Sequence, residues 1–402
     1  MNQLNPDIEF SGRHRIRLLL LSLAMVGAMT SWFAMTAVLP ELSQQWEFSD
    51  TGRSMVTIMV QAGFVVGSLL SAFTNLPDRI QPERLFFYSA VTAGLTTLLT
   101  IFLADGLTVA LILRFITGMA LAGVYGPGLK LVSTWFRVRR GTAMGITVGA
   151  LTVGSASPHL FSGFWTGAWE PVLAAAGFSS IAGGFLVLLF VPSGPYVLPK
   201  GKFDPKAIPR ALSFKPVRLA NYGYLGHMWE LYAMWAWYGI FLTHSLTASG
   251  VEEPSRLASI LTFVVISSGF FGTWLGGKFA DKFGRELLTL WALGISAVSA
   301  GTIGFFYGAS PWIVTAVGVI WGISIIADSA QFSALITEHA DQRYVGSALT
   351  FQLAAGFALT IAAIVLLPFV ENLIGWRYAF LFLVPGPIFA FISMLRMYRL
   401  TK

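Results

Sequence analysis

Long apolar runs recur along the chain, each near the roughly 20 residues that a helix needs to cross a bilayer. They occupy residues 17–40, 52–74, 84–104, 107–131, 141–167 and 171–192, then 218–248, 256–280, 286–307, 310–336, 344–370 and 375–396. The pattern predicts twelve transmembrane helices, spans 1 to 12, and no sheet, because backbone in lipid must satisfy its own hydrogen bonds. Arg13, Arg15 and Arg17 precede the first run. That run exceeds the roughly 7–15 apolar residues of a signal-peptide core, so it reads as a retained span.

Charge placement tests the count. With an inner N-terminus, the inner segments collect most of the basic residues, among them Arg79, Arg84, Arg137, Arg139, Arg140, Lys200, Lys202, Lys206, Lys278, Lys282, Arg285, Arg343 and Lys402. The outer segments hold only Arg53, Arg256 and Arg377, with acids such as Glu41, Asp105, Glu252 and Glu371. This is the positive-inside bias, and it predicts that both termini are cytoplasmic. The net charge of +7 is therefore a topology signal, and a nucleic-acid partner is not expected. Composition agrees: 55% of residues are hydrophobic and 11% charged, against roughly 25% charged in a soluble domain. Without cysteine, disulfide and thiolate chemistry are excluded. The compact loops suit a multi-pass protein of a bacterial inner membrane.

The longest hydrophilic stretch, "PSGPYVLPKGKFDPKAIPRALSFKP" (192–216), reads as a solvated cytoplasmic linker. It predicts a six-span half over 1–192, a linker over 193–217 and a second half over 218–402. The halves echo each other at an offset of about half the chain. "WFRVRRGTAMG" before span 5 matches "DQRYVGSALT" before span 11, and Trp169 before span 6 matches Trp376 before span 12. Repeated six-helix halves suit a transporter with its solute site where they meet.

Between spans 8 and 9 stands "GGKFADKFGRE", with Gly276, Gly277, Asp281, Gly284 and Arg285. It resembles the cytoplasmic-loop signature of the major facilitator superfamily of secondary transporters. "RFITGMALAG" in span 4 is similar to that family's Arg-and-Gly motif, and "WFRVRRGTAMG" looks equally typical. The resemblance implies an all-α integral membrane fold of two pseudo-symmetric six-helix halves, with the signature acting as a latch on the cytoplasmic gate. The first-half loop keeps Asp78, Arg79 and Arg84 but spreads them. Within the family, the chain is loosely similar to the nitrate/nitrite and organic-anion porter branch.

Span 7 contains "GYLGHMWELYAMWAWYGIFL" (223–242). Glu230 lies about 12 residues in, roughly 18 Å at 1.5 Å per residue and close to the midplane. His227 shares its face, which Met234 and Tyr238 continue. An ionisable group persists at that depth only where something compensates it. Either the pair pins helices together, or it faces the central cavity and takes up and releases protons as the cavity alternates. A metal site from His-x-x-Glu alone lacks ligands. Arg114 lies about seven residues into span 4, with Gly118, Leu121 and Tyr125 on its face. Inserting such a cation costs about 2.5–3.5 kcal/mol, so it anchors an anionic solute or pairs with a carboxylate. Asp328 in span 10 shares a face with Trp321, Ser324 and Gln331, and serves an inner gate or coupling. His159 in span 5 reads as a satisfied helix contact.

The expected solute contacts are thus Trp32, Gln61, Arg114, Tyr125, Met234, Tyr238 and Gln352, with Glu230 and His227 coupling protons. The expected gate residues are Asp78, Arg79, Lys130, Asp281, Arg285, Asp328 and Gln331. The chain has no His-Glu-x-x-His, no Gly-x-Ser-x-Gly and no nucleotide-binding loop, which argues against an enzyme and against direct ATP driving. A receptor without transport would bind ligand and show no flux. The expected function is alternating-access, proton-coupled uptake of a small organic anion, with proton-driven efflux of an amphipathic or cationic compound as the alternative. The expected partners are solute, protons and membrane lipid, the expected state is a monomer, and neither a cofactor nor a metal is expected.

Overall fold

The computed structural model describes residues 12–137, 140–196, 203–341 and 344–401. Arg139, Lys200, Lys202, Arg343 and Lys402 lie outside the described residues. Among the described residues all regular structure is helical. Nine helical segments there are long and apolar enough to cross a membrane unaided. Helices Gly12–Met29, Arg140–Phe164 and Lys215–Ala248 stand where spans 1, 5 and 7 were expected. Their composition makes them less apolar: arginines open span 1, small and hydroxyl residues fill span 5, and His227 and Glu230 interrupt span 7.

Several spans break where the sequence predicts an unbroken run, and in spans 1 and 8 a hydroxyl back-bond marks the break. Span 1 stops at Met29 and resumes as Ala34–Ala37 and Leu39–Gln45. The Thr30 hydroxyl lies 2.6 Å from Gly27 O and 2.8 Å from Ala176 O of span 6, sharing its one proton between a carbonyl at the break and a neighbouring helix. Span 8 divides at Ser268 into Pro254–Ser267 and Gly269–Phe283. The Ser268 hydroxyl donates to Val265 O at 2.6 Å, a back-bond that bends helices. Span 10 divides at Asp328 into Pro311–Ala327 and Ser329–His339. In span 12 a 3-10 turn, Phe380–Leu383, precedes Pro385–Thr401.

Packing repeats between the halves. Spans 2 and 4, 3 and 6, 3 and 4, 1 and 6, and 1 and 5 pack together in the first. Their counterparts 8 and 10, 9 and 12, 9 and 10, 7 and 12, and 7 and 11 do so in the second. Trp169 packs on Trp46 beyond span 1, at 5.4 Å between ring centroids, and Trp376 stacks on His244 of span 7 at 5.8 Å. The tryptophan echo therefore marks equivalent positions.

Two seams join the halves, span 5 against span 8 and span 2 against span 11. Along the first seam small residues allow backbone contact. A Cβ on Gly145 would stand 2.9 Å from Thr273 O, and one on Gly149 2.7 Å from the Phe270 ring. Most described residues of the linker are exposed, as expected, and a few touch both halves. Phe203 packs edge-on against Phe73 of span 2 at 4.9 Å, and Asp204 N donates to Ser347 Oγ of span 11 at 2.9 Å. Helix Ala207–Ser213 packs on spans 7 and 11.

Candidate functional site

Two buried features lie near the pseudo-symmetry axis. The first is a cavity of about 30 Å³ between the halves, lined by Trp32, Phe64, Tyr125 and Leu151 from one side and Tyr224, Met228, Tyr232, Ser329 and Phe357 from the other. Trp32 lies 5.0 Å from Phe64, 5.6 Å from Tyr232 and 5.8 Å from Phe357, and Phe64 meets Phe357 at 4.3 Å. Aromatic side chains from both halves thus fill the centre. The space holds one or two waters, whereas a solute site needs roughly 300 Å³ or more. No charged side chain lines it. The Trp32 indole N–H is buried without a hydrogen-bond partner and is free to donate to an occupant.

The span 5–span 8 seam is closed towards both ends. At the end bearing Asp281, the carboxylate faces Gly141 in the first turn of span 5, its oxygens 3.5 and 3.6 Å from where a Cβ would stand. An anion there is favoured by the helix dipole. At the other end, a Cβ on Gly163 would stand 2.6 Å from the Ile260 side chain, and Ser162 and Ser259 approach to 3.5 Å. His159 sits there beside Gly239 of span 7, its Nε2 without a partner, so its expected contact is incomplete.

The second feature is a polar ladder inside the second half. Glu230 Oε1 accepts from Ser296 Oγ of span 9 (2.8 Å) and Trp321 Nε1 of span 10 (2.7 Å). One turn earlier, His227 Nδ1 lies 3.0 Å from Asp328 Oδ1, both side chains 1% exposed. His227 Nε2 has no partner. Asp328 stands at the break of span 10. One turn further along, Gln331 accepts from Arg285 Nη1 (2.7 Å), and Arg285 Nε reaches Glu338 at 2.6 Å. Trp321, Asp328, Gln331 and Glu338 are spaced 7, 3 and 7 residues apart, which keeps them on one side of span 10. The ladder runs from the buried carboxyl to the molecular surface.

These positions revise the expected cavity face of span 7. Tyr224, Met228, Leu231 and Tyr232 form it, and Glu230 points about 145° away on an ideal helix. Met234 is fully buried, and Tyr238 packs against Trp321 with centroids 6.4 Å apart; neither lines the cavity. Gln352 accepts from Ser333 at 2.9 Å and also lies off the lining. Gln61 is fully buried with both amide atoms unpartnered, likewise off the lining. Trp32 and Tyr125 do line it.

Arg114 pairs with no carboxylate among the described residues. Its Nη1 donates to Ser31 O (2.7 Å) and its Nη2 to Trp32 O. The guanidinium thus caps the carbonyls freed at the break of span 1, where the helix dipole favours a cation. Lys130 bonds to Asp78 (2.8 Å) and to Pro77 O (2.6 Å), tying span 4 to the loop after span 2. Arg79 beside it is exposed. Sequence reading missed Phe64, Tyr224, Tyr232 and Phe357 as lining, because aromatic residues are abundant throughout and only the packed halves show which converge.

A family model described as Major Facilitator Superfamily matches residues 21–363. The inner membrane transport protein RhmT of Escherichia coli is 28% identical over 310 residues, covering 67% of this chain and 70% of that protein. The MFS-type transporter pynF of Aspergillus niger is 24% identical over 264 residues, 63% of this chain and 55% of that protein. An uncharacterized transporter of Buchnera aphidicola is 25% identical over 170 residues, 42% of this chain. The chain spans about two-fifths to just over half the length of several of the curated relatives it matches.

Proposed function

Given that this chain belongs to the Major Facilitator Superfamily, we propose that it is a proton-coupled secondary transporter in which solute and proton occupy different places. The solute site is the aromatic cavity between the halves, enlarged when either end of the seams opens. The proton site is the Glu230, His227 and Asp328 cluster within the second half, with the basic end of the bundle in the cytoplasm.

The observation that carries this reading is the division of labour itself. The cavity has aromatic faces, tyrosine hydroxyls and an unpartnered indole N–H but no charge, while the titratable groups sit on the far side of span 7. An amphipathic organic solute, neutral or cationic, suits such walls through apolar burial and cation–π attraction. Span 7 and span 10 each contribute to both sites, so a proton that changes the hydrogen bonds of Glu230 or the contact between His227 and Asp328 alters the packing of helices that also line the cavity. Coupling then needs no contact between proton and solute.

A second reading keeps the organic anion, with uptake as its direction. It requires Arg114 to leave the Ser31 and Trp32 carbonyls when the protein opens. The test is a thermal-stability screen against lipophilic cations, neutral amphiphiles and carboxylates, followed by flux of the hits in proteoliposomes under an imposed pH gradient. Stabilisation by cations or neutral amphiphiles that drops in Trp32→Ala supports the aromatic site. Stabilisation confined to carboxylates and lost in Arg114→Met moves the assignment to the anion. Hits whose flux ignores the pH gradient contradict proton coupling.

A further inference from the structure

A groove on the outer surface of the second half takes no part in the reading above. It lies between spans 8, 9 and 10 and measures about 880 Å³. Its walls are apolar and open: Leu275, Trp291, Ile295 and Ile320 are 51%, 61%, 42% and 52% exposed. The lining runs from Leu288 to Ile295 on span 9 and from Ile320 to Ala327 on span 10. Seven residue steps are about 10 Å, so the groove fits within one leaflet of roughly 15 Å, half the ~30 Å hydrocarbon core.

Its mouth at the basic end is formed by Lys278 and Lys282, one helical turn apart and both exposed. Among the described residues neither has a carboxylate within 4.0 Å. The Lys278 ammonium instead lies 4.2 Å from the Trp274 ring centroid, and that of Lys282 5.0 Å from Phe283. Arg285, the next cation along the chain, is committed to Glu338. The nearby acids face away or stand aside, Asp281 towards Gly141 and Glu286 beside Gly284. An apolar trough one leaflet deep, topped by two uncommitted ammonium groups, is complementary to a molecule with an acyl tail and an anionic head.

We propose that this groove binds an anionic phospholipid, with its phosphate between Lys278 and Lys282 and an acyl chain along Leu275, Trp291 and Ile320. The floor includes Ser324 and Ala327, so the chain lies against span 10 directly before its break at Asp328. Occupancy braces that break.

The test uses the full chain, purified in neutral detergent and stripped of lipid. Phosphatidylglycerol or phosphatidylcholine of equal chain length is added, and bound lipid is counted by native mass spectrometry. The wild type is expected to retain one phosphatidylglycerol in preference to phosphatidylcholine. K278Q/K282Q is expected to bind phosphatidylglycerol roughly thirtyfold more weakly, the combined effect of two basic contacts, with phosphatidylcholine unchanged. K278R/K282R keeps the preference, and so does R13Q/R15Q, which removes other charges at the same end. Equal binding of the two lipids to the wild type overturns the proposal. So does equal phosphatidylglycerol binding by wild type and K278Q/K282Q, or parallel loss of both lipids in that variant.

Discussion

Replacing His227 with phenylalanine isolates the most exposed assumption about the second half, that Asp328 is held as a charged partner. The two side chains are 3.0 Å apart and 1% exposed, so His227→Phe keeps an aromatic ring and leaves a buried carboxylate without a counter-charge. Breaking a buried pair from one side costs about 3–5 kcal/mol. With unfolding entropy near ~2.1 cal/mol/K per residue, a chain of 402 residues has about 0.84 kcal/mol/K, and the melting temperature falls by about 4–6 °C. Asp328→Asn removes the charge as well as the pair, costs about 1–2 kcal/mol, and lowers the midpoint by about 1–2 °C. H227F/D328N should therefore melt above H227F, although it carries one more substitution. Fluorescence-monitored unfolding in detergent at pH 8 measures all four proteins. H227F melting with the wild type at pH 8, or H227F/D328N melting no higher than H227F, would refute the reasoning.

Three further outcomes follow from the seams and the cavity. Gly149→Leu places a branched side chain where even a Cβ would stand 2.7 Å from Phe270; it should hold the Asp281 end open, raising labelling of a cysteine introduced at Gly141 several-fold. Lys130→Gln breaks a pair whose members are 25% and 20% exposed, so stability should fall by no more than about 1 kcal/mol while access from that end rises in the same labelling assay. Trp32→Ala removes a ring packed on Phe64, Tyr232 and Phe357 and should cost about 3–5 kcal/mol, with the loss partly recovered on adding indole as a cavity filler.

The architecture was legible because lipid makes its demands one segment at a time. Twelve apolar runs, the basic bias and the Trp169–Trp376 echo are one-dimensional signals, and the folded chain repeats its packing accordingly. The shared face of His227 and Glu230 was equally readable, since it depends only on helical period. The direction of that face was not, because the rotation of span 7 is set by what packs around it. Arg114 shows a second limit: its partners are peptide carbonyls freed by a helix break, and backbone carbonyls leave no mark in a sequence. Asp328 was assigned to the right side of span 10, yet its partnership with His227 joins residues about a hundred positions apart. The linker looked solvated by composition, and its described residues are mostly exposed, but the contacts of Phe203 and Asp204 with both halves carry no sequence signal.

The central claim is that Glu230 carries the proton and the aromatic cavity carries the solute. The most direct measurement compares wild type and Glu230→Gln in proteoliposomes, reading accumulation of a confirmed solute under a pH gradient and its exchange without one. Glutamine keeps an oxygen that accepts from Ser296 and Trp321 but cannot titrate. The expected result is loss of gradient-driven accumulation with exchange retained. Accumulation that survives in Glu230→Gln, or equal loss of accumulation and exchange, would contradict the account.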